Sequence, residues 1–241
     1  MGLAEVLYRI CMRNENLRDK CIIALTNIYE KLGRPREALD LLMRSDWTES
    51  YLLTYQLAYF RSEIGEIEVA IKMFEDLLAQ TDFQKGEVDS DLIATLIQLY
   101  VRQKDYDKAL NLLARFENNI KDQPKSGMVW FNSANALIAK GEFEKAIQYN
   151  KKALHSIEGM DQNVLHNIAH CYLSMKKYDD AIIYFAEALQ NAIERSDLGR
   201  IYFGMGCTCR EKGETAKAKT HFRMAIDNGF AKAEDALREL V

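Results

Sequence analysis

The chain has 241 residues, 48% of them hydrophobic and 28% charged, with only 2 prolines and 12 glycines. That length can bury a substantial core, and the composition excludes collagen-like, mucin-like and largely disordered chains. A net charge of -4 and a pI of about 5.7 argue against a broad nucleic-acid-binding face, because no positive field dominates.

Many Ala, Leu, Lys and Glu residues and few punctuating ones predict helix nearly throughout. Residues 3–13 place Leu3, Val6, Leu7 and Ile10 on one helical face and predict a short capping helix. Six segments then repeat one design: IYEKLGRPREAL (28–39), FRSEIGEIEVAIKMFEDLL (60–78), YVRQKDYDKALNLLARF (100–116), LIAKGEFEKAIQYNKKAL (137–154), YLSMKKYDDAIIYFAEAL (172–189) and CREKGETAKAKTHFRMAI (209–226). Each has apolar positions, a short polar turn, an alanine, and a second apolar series. The alanines are Ala38, Ala70, Ala109, Ala146, Ala181 and Ala218, at intervals of 32, 39, 37, 35 and 37 residues. Such a period means stacked helical hairpins. The small residue lets the two helices of a hairpin cross closely. A second alanine (Ala153, Ala188, Ala225) does the same against the next hairpin, and Tyr149, Phe185 and Phe222 are read as ring-sized filling between them. Between 117 and 127 the polar run ENNIKDQPKSG, with Pro124, is a long connection or a joint between two halves. At the end, Phe230, Ala233, Leu237 and Leu240 predict a closing helix over 230–241, since the last hairpin of an array needs a cover.

This pattern resembles the tetratricopeptide repeat (TPR), a helical-pair motif of 34 residues, over residues 19 to 229. Trp130, Ala134, Gly141, Phe143, Ala146 and Ala153 fit its order of small and large positions. Leu165, Ala169, Tyr172, Tyr178, Ala181, Phe185 and Ala188 fit the next repeat, and Gly206, Gly213, Ala218, Phe222 and Ala225 the last. Lys104 and Lys176 depart from it, standing where glycine is usual, and the proline that often ends a repeat is missing. The resemblance implies an all-α, right-handed superhelical solenoid of about six hairpins, forming a single domain over residues 1–241. The stretch HNIAHCYLSMKKYDDAIIYFAEALQNA is also similar to bacterial peptide-sensing TPR regulators.

In the family, the first helix of each repeat lines a concave groove. Frames beginning at Asp19, Tyr51, Ser90, Gly127, Gln162 and Gly199 put Phe131, Asn132, Asn135, Asn163, His166, Asn167, His170 and Arg200 on that wall. An amide side chain carries one acceptor and one donor group, which matches a peptide bond, so Asn132 and Asn167 are expected to clamp an extended chain by its backbone. Phe131 and Phe203, with Tyr55 and Tyr59 on the N-terminal wall, are the aromatic anchors. Arg102, Arg200 and Arg210 are placed to attract acidic side chains or a C-terminal carboxylate.

The expected function is therefore a scaffold for a protein or extended peptide partner, with no enzyme chemistry and no cofactor. A self-associating adaptor, and so a homo-oligomer, is the alternative. A third reading takes His166 and His170, four residues apart on one helical face, as part of a metal or hydrolytic site. No glutamate follows the first histidine, and a third ligand would have to come from Cys207 or a carboxylate, which favours groove-lining imidazoles. An odd number of cysteines (Cys11, Cys21, Cys171, Cys207, Cys209), no apolar run of bilayer length and no secretory pattern at the start predict a cytoplasmic protein outside the membrane.

Overall fold

The computed structural model describes Val6 and residues 15–44, 50–80, 89–120, 123 and 126–240. Among the described residues the regular elements are all helices: α1 (Glu15–Lys31), α2 (Pro35–Met43), α3 (Tyr51–Glu63), α4 (Ile67–Gln80), α5 (Ser90–Arg102), α6 (Tyr106–Ile120), α7 (Gly127–Lys140), α8 (Phe143–Ala153), α9 (Asp161–Ser174), α10 (Tyr178–Asn191), α11 (Arg195–Glu211), α12 (Thr215–Asp227) and α13 (Lys232–Arg238). This is the all-α hairpin repeat that the alanine period predicts. Apart from Val6, the capping helix expected over 3–13 lies outside the described residues.

The chain divides into two compact units, residues 1–104 and 105–241. In the first, α1 with α2 and α3 with α4 form hairpins, and α5 packs on α4. Its core gathers Ile22, Ala38, Leu42, Leu53, Leu57 and Phe60, and Phe74 fills a further slot without exposure. Asp89 caps α5, its carboxylate accepting from the backbone N–H groups of Asp91 and Leu92 at 2.9 and 3.2 Å. An unpaired first-turn donor is thereby satisfied by an N-cap acid.

In the second unit, α6 packs on α7, then α7–α8, α9–α10 and α11–α12 form three hairpins, and α13 packs on α12. The first helices of these hairpins, α7, α9 and α11, also adjoin one another. Ala146, Ala153, Ala181, Ala188, Ala218 and Ala225 are all fully buried, as the close-crossing argument requires. At Gly206 the crossing is close: an added Cβ would lie 2.6 Å from Cδ1 of Phe222.

Each hairpin turn ends its first helix through a left-handed residue. Gly141 does so with φ of 78°, and the next residue closes the turn, Glu142 N–H donating to Leu137 O at 2.9 Å. Lys176 makes the same turn with φ of 58°, with Lys177 N–H donating to Tyr172 O at 2.9 Å. A side chain there costs about 1 kcal/mol in left-handed backbone. Lys176→Gly should therefore raise stability by up to about 1 kcal/mol in urea titrations. An unchanged midpoint would mean that the lysine side chain compensates the strain.

Candidate amide wall on the first helices

His166 and His170 sit on α9, and the repeat explains the first of them. In three hairpins a ring on the first helix meets a buried phenylalanine on the second: Tyr55 with Phe74 at 5.2 Å between centroids, His166 with Phe185 at 5.5 Å, and Phe203 with Phe222 at 5.7 Å. His166 thus occupies an aromatic packing position. Its Nδ1 is buried without a hydrogen-bond partner among the described residues. Burial, aided by the positive charge of Arg200, pushes its pKa down to about 3. The ring is neutral at physiological pH. His170, one turn on, is exposed, and burial of part of its ring lowers its pKa too.

That neutral ring gives a pH dependence with a definite sign. The folded chain keeps His166 unprotonated, whereas the unfolded chain takes up a proton near pH 6.5. The stability so contributed is complete above about pH 6.5 and is lost as pH falls towards 3. His166→Phe, which copies the ring at Phe203, should leave neutral-pH stability nearly unchanged and flatten the loss between neutral pH and about pH 4 in urea titrations. An equally steep loss in the variant would assign the slope to other groups.

The asparagines do not form the ladder expected from repeat positions. Asn132 is 5% exposed, so it is buried and does not stand on an open wall. The amide that does meet Asn167 is Asn135. Asn167 Nδ2 donates to Asn135 Oδ1 at 2.8 Å, joining α9 to α7. Both side chains are half-buried. A second bridge joins α11 to α9, where Arg200 donates to Asn163 Oδ1 and also to Asp197 Oδ1, the latter at 3.1 Å. The structure therefore brings Asn135, Asn163, His166, Asn167 and Arg200 together on α7, α9 and α11. Phe131 is half-buried on α7. Phe203 is packed between Phe222 and Phe230, 4.9 Å from the latter. It serves the closing helix as much as the wall.

Tyr55, Tyr59 and Arg102 belong to the first unit. Tyr55 is a packing ring whose hydroxyl pairs with Thr95 Oγ1 at 2.9 Å, and Tyr59 donates to Glu30 at 2.5 Å. Arg102 is exposed and reaches Ser62 O at 3.5 Å and Glu63 at 3.8 Å.

Cys171 and Cys209 are buried, and burial pushes the Cys171 thiol up to about 12 and those of Cys207 and Cys209 upward as well. These are protonated thiols, poor nucleophiles and poor metal ligands. Among the described residues, no three His, Cys, Asp or Glu side chains cluster so as to hold a metal ion. Nor is any described helix long and apolar enough to cross a membrane.

Tyr149, expected among the ring fillers, lies one residue short of the slot. The slot in α8 belongs to Asn150, fully buried, with Nδ2 donating to Ala146 O at 3.0 Å. Tyr149 instead stacks on Trp130 at 5.8 Å, with the Lys152 ammonium 4.5 Å from its ring centroid. The spacing carries the signal: Phe185 and Phe222 stand four residues after their marker alanines, and Asn150, not Tyr149, stands four after Ala146.

Comparison with known proteins agrees with this architecture. A profile described as tetratricopeptide repeat matches residues 161–228, and a second with the same description matches residues 94–162. No curated protein sequence matches the chain. Among solved structures it is similar to a chain of the APC/C hetero-tetramer Cut9–Hcn1, at 16% identity and a TM-score of 0.78, over 100% of this chain and 46% of that one. The chain thus spans less than half of that relative. A tetratricopeptide repeat protein from Parabacteroides merdae ATCC 43184 is similar at 20% identity and a TM-score of 0.65, over 98% of this chain and 89% of its own. A thermophilic TPR protein of Thermus thermophilus is similar at 23% identity and a TM-score of 0.58, over 72% of this chain and 91% of its own.

Proposed function

Because this chain belongs to the tetratricopeptide repeat family, whose repeats mediate protein–protein interaction, we propose that it is a scaffold holding an extended peptide segment of a protein partner on the α7–α9–α11 face. The observation that carries this reading is the Asn135–Asn167 bridge. Each amide engages the other through one of its two groups. In this reading a peptide meets Asn135 Nδ2 and Asn167 Oδ1, both on half-buried side chains, and takes over the contact that Asn167 otherwise makes with the His166 ring. A peptide unit offers the complementary pair, one C=O and one N–H. Because the backbone is alike in every peptide, such a contact supplies affinity with little sequence preference. Selectivity then falls to Phe131, His170 and Arg200 around it.

The test uses a peptide isolated by panning a library of short displayed peptides on the wild-type chain. Asn135→Ala with Asn167→Ala should weaken its binding roughly tenfold or more, since two hydrogen bonds of about 1 kcal/mol each are lost. Helicity should be preserved, because neither side chain is buried in the core. Unchanged affinity in the double variant, or a library yielding no binder, would contradict the proposal.

A further inference from the structure

One hairpin fills its ring slot with an amide. Phe74, Phe185 and Phe222 occupy this slot in three hairpins and are fully buried. In α8 it holds Asn150, equally buried, whose Oδ1 has no hydrogen-bond partner among the described residues. A buried carbonyl without a donor destabilises the fold, and an apolar side chain of similar size would avoid that cost. Polar groups retained at such expense are often functional.

The repeat register identifies what Asn150 faces. One hairpin later, Phe185 abuts Gly204, where an added Cβ would lie 2.5 Å from its Cε1. Gly204 stands in α11 where Asn167 stands in α9, each two residues before the small residue of the helix crossing, Gly206 and Ala169. By this register Asn150 stands behind Asn167, on the core side of the amide wall.

We propose that Asn150 is a positioning residue of the wall: its Oδ1 is a second acceptor for Asn167 Nδ2, which exchanges between Asn135 and Asn150. When Asn167 Nδ2 turns inward, Asn135 Oδ1 is released as a further acceptor for the peptide, beside Asn135 Nδ2 and Asn167 Oδ1. The inward state also satisfies the buried Asn150 carbonyl, so the loss of the Asn135 contact is offset. The ligand half of this proposal rests on the function proposed above. The exchange itself does not.

The side-chain amide of Asn167 in the isotope-labelled, unliganded chain reports the exchange directly by NMR relaxation dispersion. Wild type should show exchange at this group. Asn150→Leu should abolish it, leaving Asn167 fixed on Asn135, while Asn135→Ala should leave a single, inward, solvent-protected state. Asn150→Ala, which removes the amide without adding bulk, should also abolish the exchange. Asn150→Leu should raise Tm by about 2–4 °C and weaken the selected peptide roughly three- to tenfold, the worth of one hydrogen bond. A merely structural amide would move stability and affinity in the same direction. Identical Asn167 signals in wild type and Asn150→Leu, or a Tm lowered by Asn150→Leu, would overturn the positioning role. If Asn167→Ala leaves peptide affinity unchanged, the peptide-binding reading falls while the exchange measurement still stands.

Discussion

Phe185→Ala is expected to cost about 3–5 kcal/mol, among the largest losses available to a single side chain here. The ring is fully buried and forms one core cluster with Leu165, Ala169, Ala181, Ala188, Ile201 and Met205. It spans three helices: it sits on α10, meets the His166 ring of α9 edge-on at 5.5 Å, and abuts Gly204 of α11. Removing it deletes the apolar contact and leaves a cavity that neither glycine nor alanine can fill. Hairpin arrays derive their stability from such interfaces between neighbours. Unfolding of the second unit, followed by far-UV circular dichroism in urea, should show a midpoint shift of that size. A loss below about 1 kcal/mol would mean that the hairpins α9–α10 and α11–α12 do not depend on the ring slot.

Gly206→Val is expected to destabilise by about 2–3 kcal/mol, at the upper end for overpacking. Its Cβ would meet Cδ1 and Cε1 of Phe222, each at 2.6 Å. Phe222 cannot retreat easily, because it is fully buried and the Phe203 ring lies against it. A valine in place of glycine recovers part of the helix propensity, but a few tenths of a kcal/mol do not offset a collision within a close-packed core. Phe222→Leu in the same chain should restore part of the loss by giving the valine room. Thermal unfolding of the two single variants and the double variant measures this directly. Strict additivity would contradict the proposed steric clash.

The two effects share a cause that was partly legible in the sequence. The marker alanines and the glycine turns are short-range features, and the 35–39-residue intervals from Ala70 onward carry them to their partners without knowledge of the fold. Lys176 was legible as an exception, and the left-handed backbone there shows why: the turn demands the conformation whichever residue supplies it. The wall was less legible. Repeat positions align Asn132 with Asn167, but the hydrogen bond forms between Asn167 and Asn135, because contact across α7 and α9 depends on the axial offset of two helices. Position within a repeat does not report that offset. His166 looked like a potential ligand from its neighbours in sequence, whereas its equivalence to Tyr55 and Phe203 is a ring-packing role. Asn150 was hidden behind the adjacent Tyr149, a more conspicuous residue one position out of register.

A peptide backbone received between Asn135 and Asn167 on the α7–α9–α11 face would perturb both side-chain amides at once. Titrating the panned peptide into isotope-labelled protein while following side-chain amide resonances tests it most directly. The Asn135 and Asn167 signals should shift together, saturate at the same peptide concentration, and respond regardless of the peptide's side chains. Shifts confined to the second helices α8, α10 and α12, with both amides unmoved at saturation, would contradict it.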